Sequence, residues 1–487
     1  MKRSLPPIRF VGRSLGRSLG RLHRVGLFCV AAAALAATGG TAEAGIVTLG
    51  PNPVALPNCP DPVLPGKCAV DTAAQVDGVV GNLSAVRIGQ SGQGSLLIGD
   101  SASLLVNRLD LAPGIPWVPD VVVGDNVGSI ASLVVRGSGQ LDISVPAAFP
   151  FNGGLVIGAF AAPLGHVGAS TTMAILDGGS VRVDKPGGAG LGSAVFVGQA
   201  EGSNSSLLLD GGIGAFGAPA LGARLDTTGN LSIGRLGTGT VALARNADVT
   251  ANLVVMSTVG ASGHSILHVG VNSTLNASGI LAGIGLTANA PGFDPNSPNH
   301  GTALISVRDT GFINAAIVLG KGGTLMGTGV VGPLVSNFGG TIRPGFSPGR
   351  LTIAGDYADV GGRIEIEISS IGADFLDVLG NLSLDGTDVE FQFIDGFAPD
   401  AGFTYDFINA GGLMDLQNVR YSFSGLQAGF QFDVRSDPNS GVLSFIALTA
   451  GTSVPEPDIL ALLGLAGLAA GVATRRRPSA RPHSLPA

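Results

Sequence analysis

Three short sequence patterns in the chain contain residue types that catalytic sites use. Residues 345–349 read GFSPG and match the G-x-S-x-G turn that exposes a nucleophilic serine. That turn needs the backbone N–H of the residue after the serine, to stabilise an oxyanion, and a helix that follows it. Pro348 has no N–H, and no helical pattern follows. We therefore interpret GFSPG as a structural turn.

A second pattern, G-x-G-x-x-G, cradles phosphates when it opens a helix. It occurs as GIGAFG at residues 212–217 and as GTGVVG at residues 327–332. Glycine makes up 78 of the 487 residues, so such matches are expected by chance. Neither segment opens a helical pattern, and both predict turns.

The third segment is HSILH, in which His264 and His268 could hold a metal ion. A zinc protease would need Glu at the second position and a helix, whereas Ser265 stands there in an alternating, strand-like pattern. Residues four apart on a strand share a face, so a weak metal contact stays open. Two surface or loop histidines are the simpler interpretation, and no metal site is predicted.

Calcium is a separate alternative for the C-terminal part of the chain. Ca²⁺ prefers oxygen ligands, and five aspartates follow one another at short spacing: Asp374, Asp377, Asp385, Asp388 and Asp395. No EF-hand loop or G-G-x-G-x-D repeat accompanies them. A solvated acidic face is the favoured interpretation, and no cofactor is predicted.

Charge and composition exclude several function classes. Residues 45–454 carry 16 Lys or Arg and 31 Asp or Glu, a net charge of −15. A field of that sign disfavours nucleic acid and anionic lipid as partners. A polysaccharide lyase would need clustered Asp with Lys or Arg along a groove, but the repeat region offers few bases, and the whole chain has one Trp and three Tyr. We predict that the protein is not an enzyme.

Both ends of the chain carry targeting features. At the N-terminus an apolar run at 25–37 precedes Ala42-Glu43-Ala44, a small-x-small cleavage site, so the sequence predicts a signal peptide at 1–44 and cleavage between Ala44 and Gly45. The basic residues before the run are Lys2, Arg3, Arg9, Arg13, Arg17, Arg21 and Arg24. An exported chain meets oxidising conditions, so we expect a disulfide between Cys59 and Cys68 in CPDPVLPGKC, with two free thiols as the alternative.

The C-terminal end combines a proline-rich motif, an apolar run and arginines. As a helix, the uncharged run at 459–473 would reach only about 22 Å, against roughly 30 Å for a bilayer core, so it can span marginally. A cytoplasmic basic stop follows it, formed by Arg475, Arg476 and Arg477. Pro455 and Pro457 interrupt regular structure just before it and leave an extended, accessible stretch.

The order of these three parts resembles the PEP-CTERM sorting signal of Gram-negative bacteria. The motif itself is Val454-Pro455-Glu456-Pro457. The resemblance implies that exosortase, a membrane protease-transpeptidase, recognises the tail, in species that make extracellular polysaccharide. An anchor that is never cut is the alternative. The protein is then expected to be exported, anchored transiently in the inner membrane, and finally placed at the cell surface or in the extracellular matrix.

Between the two ends the sequence repeats. Each unit has a β-branched pair or triplet, a glycine, a polar loop and short alternating strands, and the landmark glycines are Gly89, Gly124, Gly158, Gly198 and Gly234. A period of this size indicates a stacked array in which neighbours complete one another's core. We predict an all-β fold, a right-handed parallel β-helix (solenoid) with a coil of twenty-odd residues. A propeller is disfavoured because the strands are short and aromatic residues few.

The stretch from Gly322 to Tyr357, GGTLMGTGVVGPLVSNFGGTIRPGFSPGRLTIAGDY, resembles the passenger region of bacterial autotransporter adhesins. The resemblance implies a late part of a β-helix. The self-export mechanism of that family is not expected here, because the PEP-CTERM-like tail takes its place. Phenylalanines then become frequent, which predicts a β-rich cap over the end of the solenoid.

These observations divide the chain into five regions. They are a signal peptide (1–44), a Pro-rich segment with the disulfide (45–80), Gly-rich solenoid repeats (81–355), a β-rich cap (356–450) and the sorting signal with a short transmembrane helix (451–487). The favoured function is that of an exported cell-surface or matrix protein, structural or adhesin-like, with exosortase and extracellular polysaccharide as partners. A carbohydrate-binding adhesin with a groove lined by aromatic and acidic residues is the alternative, and a β-helix lyase is a more remote one.

Overall fold

The computed structural model describes most of the chain between residues 54 and 454. The described residues are 54–55, 67–70, 73–76, 79–83, 85–89, 93–107, 120–124, 128–145, 154–158, 170–185, 193–212, 221–257, 263–286, 293–294, 300–346, 348–437 and 439–454. Every regular element within these ranges is a β-strand. None of the described residues forms a helix long and apolar enough to cross a membrane.

The strands are short and follow one another closely. The first part of the chain contains β1 (Val54–Ala55), β2 (Lys67–Val70), β3 (Ala73–Val76), β4 (Val79–Leu83), β5 (Ala85–Ile88), β6 (Gln93–Ile98), β7 (Ser103–Val106), β8 (Asp120–Val123), β9 (Ile130–Arg136), β10 (Gln140–Ser144), β11 (Gly154–Ile157), β12 (Ser170–Leu176), β13 (Ser180–Asp184) and β14 (Ser193–Val197). The middle part contains β15 (Asn204–Asp210), β16 (Ala223–Thr227), β17 (Asn230–Ile233), β18 (Thr238–Leu243), β19 (Ala247–Met256), β20 (His264–Val269), β21 (Thr274–Ala282), β22 (Gly285–Leu286), β23 (Phe293–Asp294), β24 (Thr302–Val307), β25 (Phe312–Leu319), β26 (Gly323–Gly327), β27 (Val330–Gly332) and β28 (Leu334–Asn337). The last part contains β29 (Thr341–Pro344), β30 (Arg350–Ile353), β31 (Asp356–Val360), β32 (Arg363–Ser369), β33 (Gly372–Ala373), β34 (Phe375–Val378), β35 (Leu382–Asp385), β36 (Asp388–Phe393), β37 (Thr404–Ala410), β38 (Met414–Gln417), β39 (Arg420–Ser424), β40 (Phe432–Asp437) and β41 (Val442–Ala447).

Parallel pairing of strands from successive coils builds three walls, which confirms the predicted parallel β-helix. Wall 1 stacks β1, β3, β6, β9, β12, β15, β18, β20, β24, β26, β29, β32, β36 and β39. Wall 2 stacks β4, β7, β10, β13, β16, the first halves of β19, β21 and β25, then β27, β30, β34 and β37. Wall 3 stacks β2, β5, β8, β11, β14, β17, the second halves of β19, β21 and β25, then β28, β31, β35 and β38.

The core lies inside the three walls. Side chains alternate between the two faces of a strand, so every second residue of a wall 1 strand points inward. One inward column on wall 1 is aliphatic or Met throughout, and each member is at most 2% exposed: Leu96, Leu133, Met173, Leu207, Val241, Leu267, Ile305, Leu325, Ile342 and Ile364. Burying one such side chain contributes about 1.5–3 kcal/mol relative to leaving it in water, so the stacked columns hold successive coils together.

The landmark glycines are the corners between wall 3 and wall 1. All five have φ between +59° and +103°, a conformation that costs glycine little. The N–H of Gly198 donates to the carbonyl oxygen of Ile157 on the previous coil at 2.9 Å, and that of Gly234 donates to Val197 at 2.7 Å. A Cβ on Gly198 would lie 2.4 Å from the Thr238 carbonyl oxygen. Each corner therefore needs both a left-handed conformation and a close approach between coils.

The repeat of 34 to 40 residues corresponds to one coil with three strands and long connections. After Gly234 the same corner recurs at Ser257 and Gly283, which also have positive φ, after 23 and 26 residues. A coil with short connections therefore has the predicted twenty-odd residues. The longer period of the first units reflects residues inserted between strands.

The parallel ladders continue beyond residue 356, where the sequence suggested that a cap begins. Walls 1, 2 and 3 extend to β39, β37 and β38, respectively. The ladders end at the hairpin of β40 and β41, in which β41 pairs antiparallel with β37. A short antiparallel pair, β32 with β33, branches from wall 1 before that end. The capping element of the ladders is thus this hairpin, and the predicted domain boundaries remain predictions.

Aromatic side chains fill the last coils. Phe391 is fully buried, with its ring centroid 5.0 Å from that of Phe407 and 4.9 Å from that of Phe445 on β41. Phe432, on the other strand of the hairpin, lies 5.6 Å from the Phe391 centroid in an edge-on arrangement. Such pairs add to the stabilisation from burial, so the aromatic cluster joins the terminal hairpin to the solenoid.

Candidate functional site

A hydrogen-bonded corner between walls 3 and 1 follows the autotransporter-like stretch and takes Asn337 and Tyr357 from it. Asp359 is 1% exposed, and its carboxylate accepts hydrogen bonds from Asn337 Nδ2 and Tyr357 OH at 2.6 Å each. It also accepts bonds from Gly362 N–H and Thr387 Oγ1 at 2.8 Å each. Burial and the Asp359 carboxylate raise the pKa of Tyr357 well above its usual value. This network joins three successive coils, and both oxygens of the buried Asp359 carboxylate accept hydrogen bonds. We therefore assign the network a structural role.

The described residues of the GFSPG segment also form a turn. Gly345 has φ of +90°, and the N–H of Gly349 donates to Asp374 Oδ1 at 2.9 Å. The second oxygen of Asp374 accepts the N–H of Glu367 at 3.1 Å. Burial is the main cause that raises the pKa of Asp374 to about 7. Ser347 lies outside the described residues. The sequence placed Asp374 on an acidic face, whereas the structure buries it against the turn.

The other four aspartates of the calcium alternative have separate partners or positions. Asp377 pairs with Arg350 at 3.2 Å, and Asp388 pairs with Arg420 at 2.5 Å. Asp385 accepts a bond from Asn418 Nδ2 at 3.2 Å, and Asp395 lies in a turn with φ of +54°. Within the described ranges, no three His, Cys, Asp or Glu side chains converge in a way that could hold a metal ion.

The two histidines share the outer face of wall 1, as their spacing predicts. His264 is exposed and its Nδ1 lies 2.7 Å from Thr302 Oγ1. His268 is half-buried; burial, and then the positive charge of Arg308, lower its pKa to about 4. The imidazole of His268 is therefore neutral at physiological pH, which the spacing of the two residues did not predict.

The second G-x-G-x-x-G match is a turn only in part, because Gly327 ends β26 and residues 330–332 form β27. In the first match the structure describes only Gly212. Gly212 and Gly327 have φ of +73° and +129°, respectively. A Cβ on Gly327 would lie 1.9 Å from the carbonyl oxygen of Val307 on the neighbouring coil. Close packing between coils, rather than phosphate binding, explains this glycine.

The segment before the sorting motif is paired with the last coil. Ser453 forms an antiparallel bridge with Leu426. The Gln427 N–H donates to the Thr452 carbonyl oxygen at 2.8 Å, and the Val454 N–H donates to the Gly425 carbonyl oxygen at 3.2 Å. One residue further upstream, the N–H of Gly451 donates to the Pro399 carbonyl oxygen at 2.7 Å. We name residues 451–454 the junction strand. The described fold thus reaches the first residue of the predicted sorting motif.

Four residues, 455–458, separate the junction strand from the predicted apolar run. Even fully extended, the chain from Val454 to residue 459 spans at most about 18 Å. Val454 is 50% exposed, so its side chain is accessible while its N–H is paired. The sequence did not predict this pairing, because residues 451–454 have no strong strand pattern of their own.

The remaining predicted site residues lie outside the described residues. They are Ala44 and Gly45 at the signal cleavage site, Cys59, the motif residues Pro455, Glu456 and Pro457, and the basic stop Arg475, Arg476 and Arg477. Cys68 belongs to β2, but its side chain is also outside the described part. The predicted disulfide and signal cleavage therefore stay predictions.

Comparison with known proteins identifies the tail. A family model described as a PEP-CTERM protein-sorting motif matches residues 453–477. No curated protein matches the chain. Among solved structures, the Haemophilus influenzae Hap adhesin is similar at 11% sequence identity and a TM-score of 0.24, covering 78% of this chain and 40% of that chain. This chain therefore spans less than half the length of that protein, and our fold assignment rests on the strand ladders.

The fold and the tail together define a class: a parallel β-solenoid protein with a C-terminal sorting signal. The signal is of the PEP-CTERM type, as the sequence predicts. A PEP-CTERM motif implies that the protein is exported, anchored transiently through its tail and processed by exosortase.

Proposed function

We propose that the protein is a structural, adhesin-like component of the cell surface or extracellular matrix, retained there by association with polysaccharide. The observation that carries the proposal is the junction strand, which joins the solenoid directly to a PEP-CTERM motif. Exosortase then acts next to a folded solenoid, and the solenoid is what the cell places outside. The polar interactions described above connect coils or form turns, which supports a structural rather than an enzymatic role.

The test is to measure intact mass and fractionation of the protein from a native host with and without its exosortase. We expect a mature form that has lost the apolar run and reaches the surface only when exosortase is present. Full-length chain in the inner membrane of both strains would overturn the proposal and indicate a permanent anchor.

Retention by polysaccharide needs a second measurement on the same cells. We expect the mature form to sediment with the matrix in a strain that makes exopolysaccharide and to enter the medium in a strain that does not. Equal retention in both strains would overturn the polysaccharide part of the proposal and leave export and processing intact.

A further inference from the structure

Three adjacent rows of outward residues on wall 1, from β6 to β18, form a regular, uncharged lattice, and the next outward row contains Arg136 and Asp210. A row of hydroxyl side chains runs along the stack in consecutive register: Ser95, Ser132, Thr172, Ser206 and Thr240. Beside it runs an apolar row: Leu97, Val134, Ala174, Leu208 and Ala242. On the other side of the hydroxyl row lie Gln93, Ile130, Ser170, Asn204 and Thr238. We name these fifteen residues the neutral face.

The neutral face is accessible and geometrically uniform. The hydroxyl and apolar rows are half-buried, while most of the third row is exposed; Ile130 is 60% exposed. Strands in a ladder are about 4.8 Å apart, so each row repeats at that interval along the stack. Neighbouring hydroxyls can also contact one another, since Ser206 Oγ donates to Thr172 Oγ1 at 3.3 Å.

The rest of the described surface is different. On wall 2 the equivalent outward row contains Asp142, Arg182 and Asp226 in register. On wall 1 itself, charged residues replace the hydroxyl row at the C-terminal end, where Arg363, Asp388 and Arg420 follow one another in register. Those charges pair within the wall, as in the 2.5 Å contact between Arg420 and Asp388. Ionic residues thus occur on wall 2, at the C-terminal end of wall 1 and along one edge of the neutral face, where Arg136 and Asp210 lie, but not within its three rows.

We propose that the neutral face is a docking surface for a neutral, hydroxyl-rich glycan chain lying along the stacking direction. Hydroxyls both donate and accept hydrogen bonds, as sugar hydroxyls do, and aliphatic side chains suit the C–H faces of sugar rings. The chain has a formal net charge of −7, which disfavours polyanions, and an uncharged lattice offers no ionic compensation for them. Contacts that repeat on every coil give binding by many weak sites on one polymer.

The neutral face also differs from the groove that the carbohydrate-binding alternative predicts. That alternative expects aromatic and acidic side chains at equivalent repeat positions. The positions of the neutral face carry Ser, Thr and aliphatic residues, with one Gln and one Asn. A flat lattice of this kind would recognise the regularity and neutrality of a polymer rather than one sugar residue.

The experiment measures co-sedimentation of the detergent-solubilised full chain with microcrystalline cellulose, a neutral glucan, and with calcium-gelled alginate, an anionic glycan. We expect binding to cellulose that 0.5 M salt changes less than twofold, and at least tenfold weaker binding to alginate. Thr172→Lys/Thr240→Lys places two charges on the neutral face and should reduce binding to cellulose at least tenfold. The matched control Thr250→Lys/Asn314→Lys, at exposed outward positions of wall 2, should change it less than twofold.

A second variant separates the hydroxyls from the shape of the surface. Thr172→Val/Thr240→Val keeps the β-branched side chains and removes two hydroxyl groups, so the strands should fold unchanged. We expect binding to cellulose to fall about threefold or more. The docking proposal is overturned by equal loss in the face and control variants, by preference for alginate, or by no binding to cellulose. Self-association through this face, detected by sedimentation and abolished by the Lys pair, would also overturn it.

This inference rests on the proposed extracellular role, and the two can fail separately. If the Lys variant is processed by exosortase like the wild type but binds cellulose equally well, only the docking proposal is wrong. If the tail is never processed in the native host, the proposed function is wrong, whatever the purified chain binds.

Discussion

The amide N–H of Val454, the first residue of the sorting motif, donates a hydrogen bond to the carbonyl oxygen of Gly425 at 3.2 Å. Gly425 has φ of +84°, and a Cβ there would lie 2.0 Å from the Phe393 carbonyl oxygen. The sorting motif is therefore attached to a tightly packed corner of the last coil. A membrane protease that binds an extended peptide upstream of the motif would compete with this pairing.

The junction strand should slow processing. Its release requires a local opening of the last coil, and only residues 455–458 precede the predicted apolar run. Inserting twelve Gly and Ser residues between Thr452 and Ser453 loosens the pairing of Ser453 and Val454 with the last coil and leaves the matched segment 453–477 intact. It should increase the fraction of cleaved chain at early times in a pulse–chase experiment. The same insertion between Asn439 and Ser440, in the exposed turn between β40 and β41, is the control. A decrease, or no change, at the junction would contradict the prediction.

The Asp359 network should stabilise its coils locally. Asp359→Ala leaves four buried donors without their acceptor, and each unsatisfied group costs about 1–3 kcal/mol, so we expect a loss of roughly 4 kcal/mol or more in the free energy of unfolding. Tyr357→Phe removes one bond to the carboxylate and should cost about 2 kcal/mol. Hydrogen exchange measures the effect amide by amide.

The loss of protection should be confined to the coils around residues 337–387, because each coil of a solenoid contacts only its neighbours. Amides of β6 to β15 should keep their protection and so serve as an internal control. Equal acceleration of exchange in both regions would contradict a local role for Asp359.

Asp374 should make the protein more stable in mild acid. Its pKa in the folded state is about 7, above the usual 3.8, so its contribution is fully present below about pH 4 and is lost as the pH rises through 7. The contribution of Asp374 to the free energy of unfolding is at most about 4 kcal/mol. Asp374→Asn should remove this contribution, so the unfolding free energy of the variant should fall furthest below that of the wild type near pH 4 and approach it by pH 7, measured by urea unfolding. A difference between wild type and variant that does not change with pH would contradict the assignment.

His268 should have the opposite effect on the pH dependence of stability. Its pKa in the folded state is about 4, below the usual 6.5, so its contribution is present above about pH 6.5 and is lost as the pH falls through 4. The contribution of His268 to the free energy of unfolding is at most roughly 3 kcal/mol. His268→Gln should therefore increase stability at pH 4 relative to pH 7, measured by the same urea unfolding.

In the wild type, the opposite effects of Asp374 and His268 on the free energy of unfolding nearly cancel between pH 4 and 6.5. Each single variant should therefore reveal the pH dependence that the other residue causes. The Asp374→Asn variant should lose stability as the pH falls, because only the effect of His268 remains. The His268→Gln variant should gain stability as the pH falls, because only the effect of Asp374 remains. Identical pH profiles for both variants would contradict both assignments.

Features that depend on local sequence could be predicted. The alternation of apolar residues predicted strands, and Gly89, Gly124, Gly158, Gly198 and Gly234 marked one corner of successive coils. The order of Val454-Pro455-Glu456-Pro457, an apolar run and three arginines predicted the PEP-CTERM motif that matches residues 453–477. In each case the information lies within a few consecutive residues, because backbone conformation and peptide recognition act locally.

Features that depend on stacking could not be predicted. Asp374, Asp377 and Asp388 looked alike in sequence, yet one is buried in a turn and the others pair with different arginines. The neutral face likewise joins Ser132 to Thr172 and Thr240 across unequal connections. The sequence by itself determined the strands, the corners and the sorting signal. Only the tertiary structure decided which side chains become neighbours, because register between coils depends on how connections of different length close each turn of the solenoid.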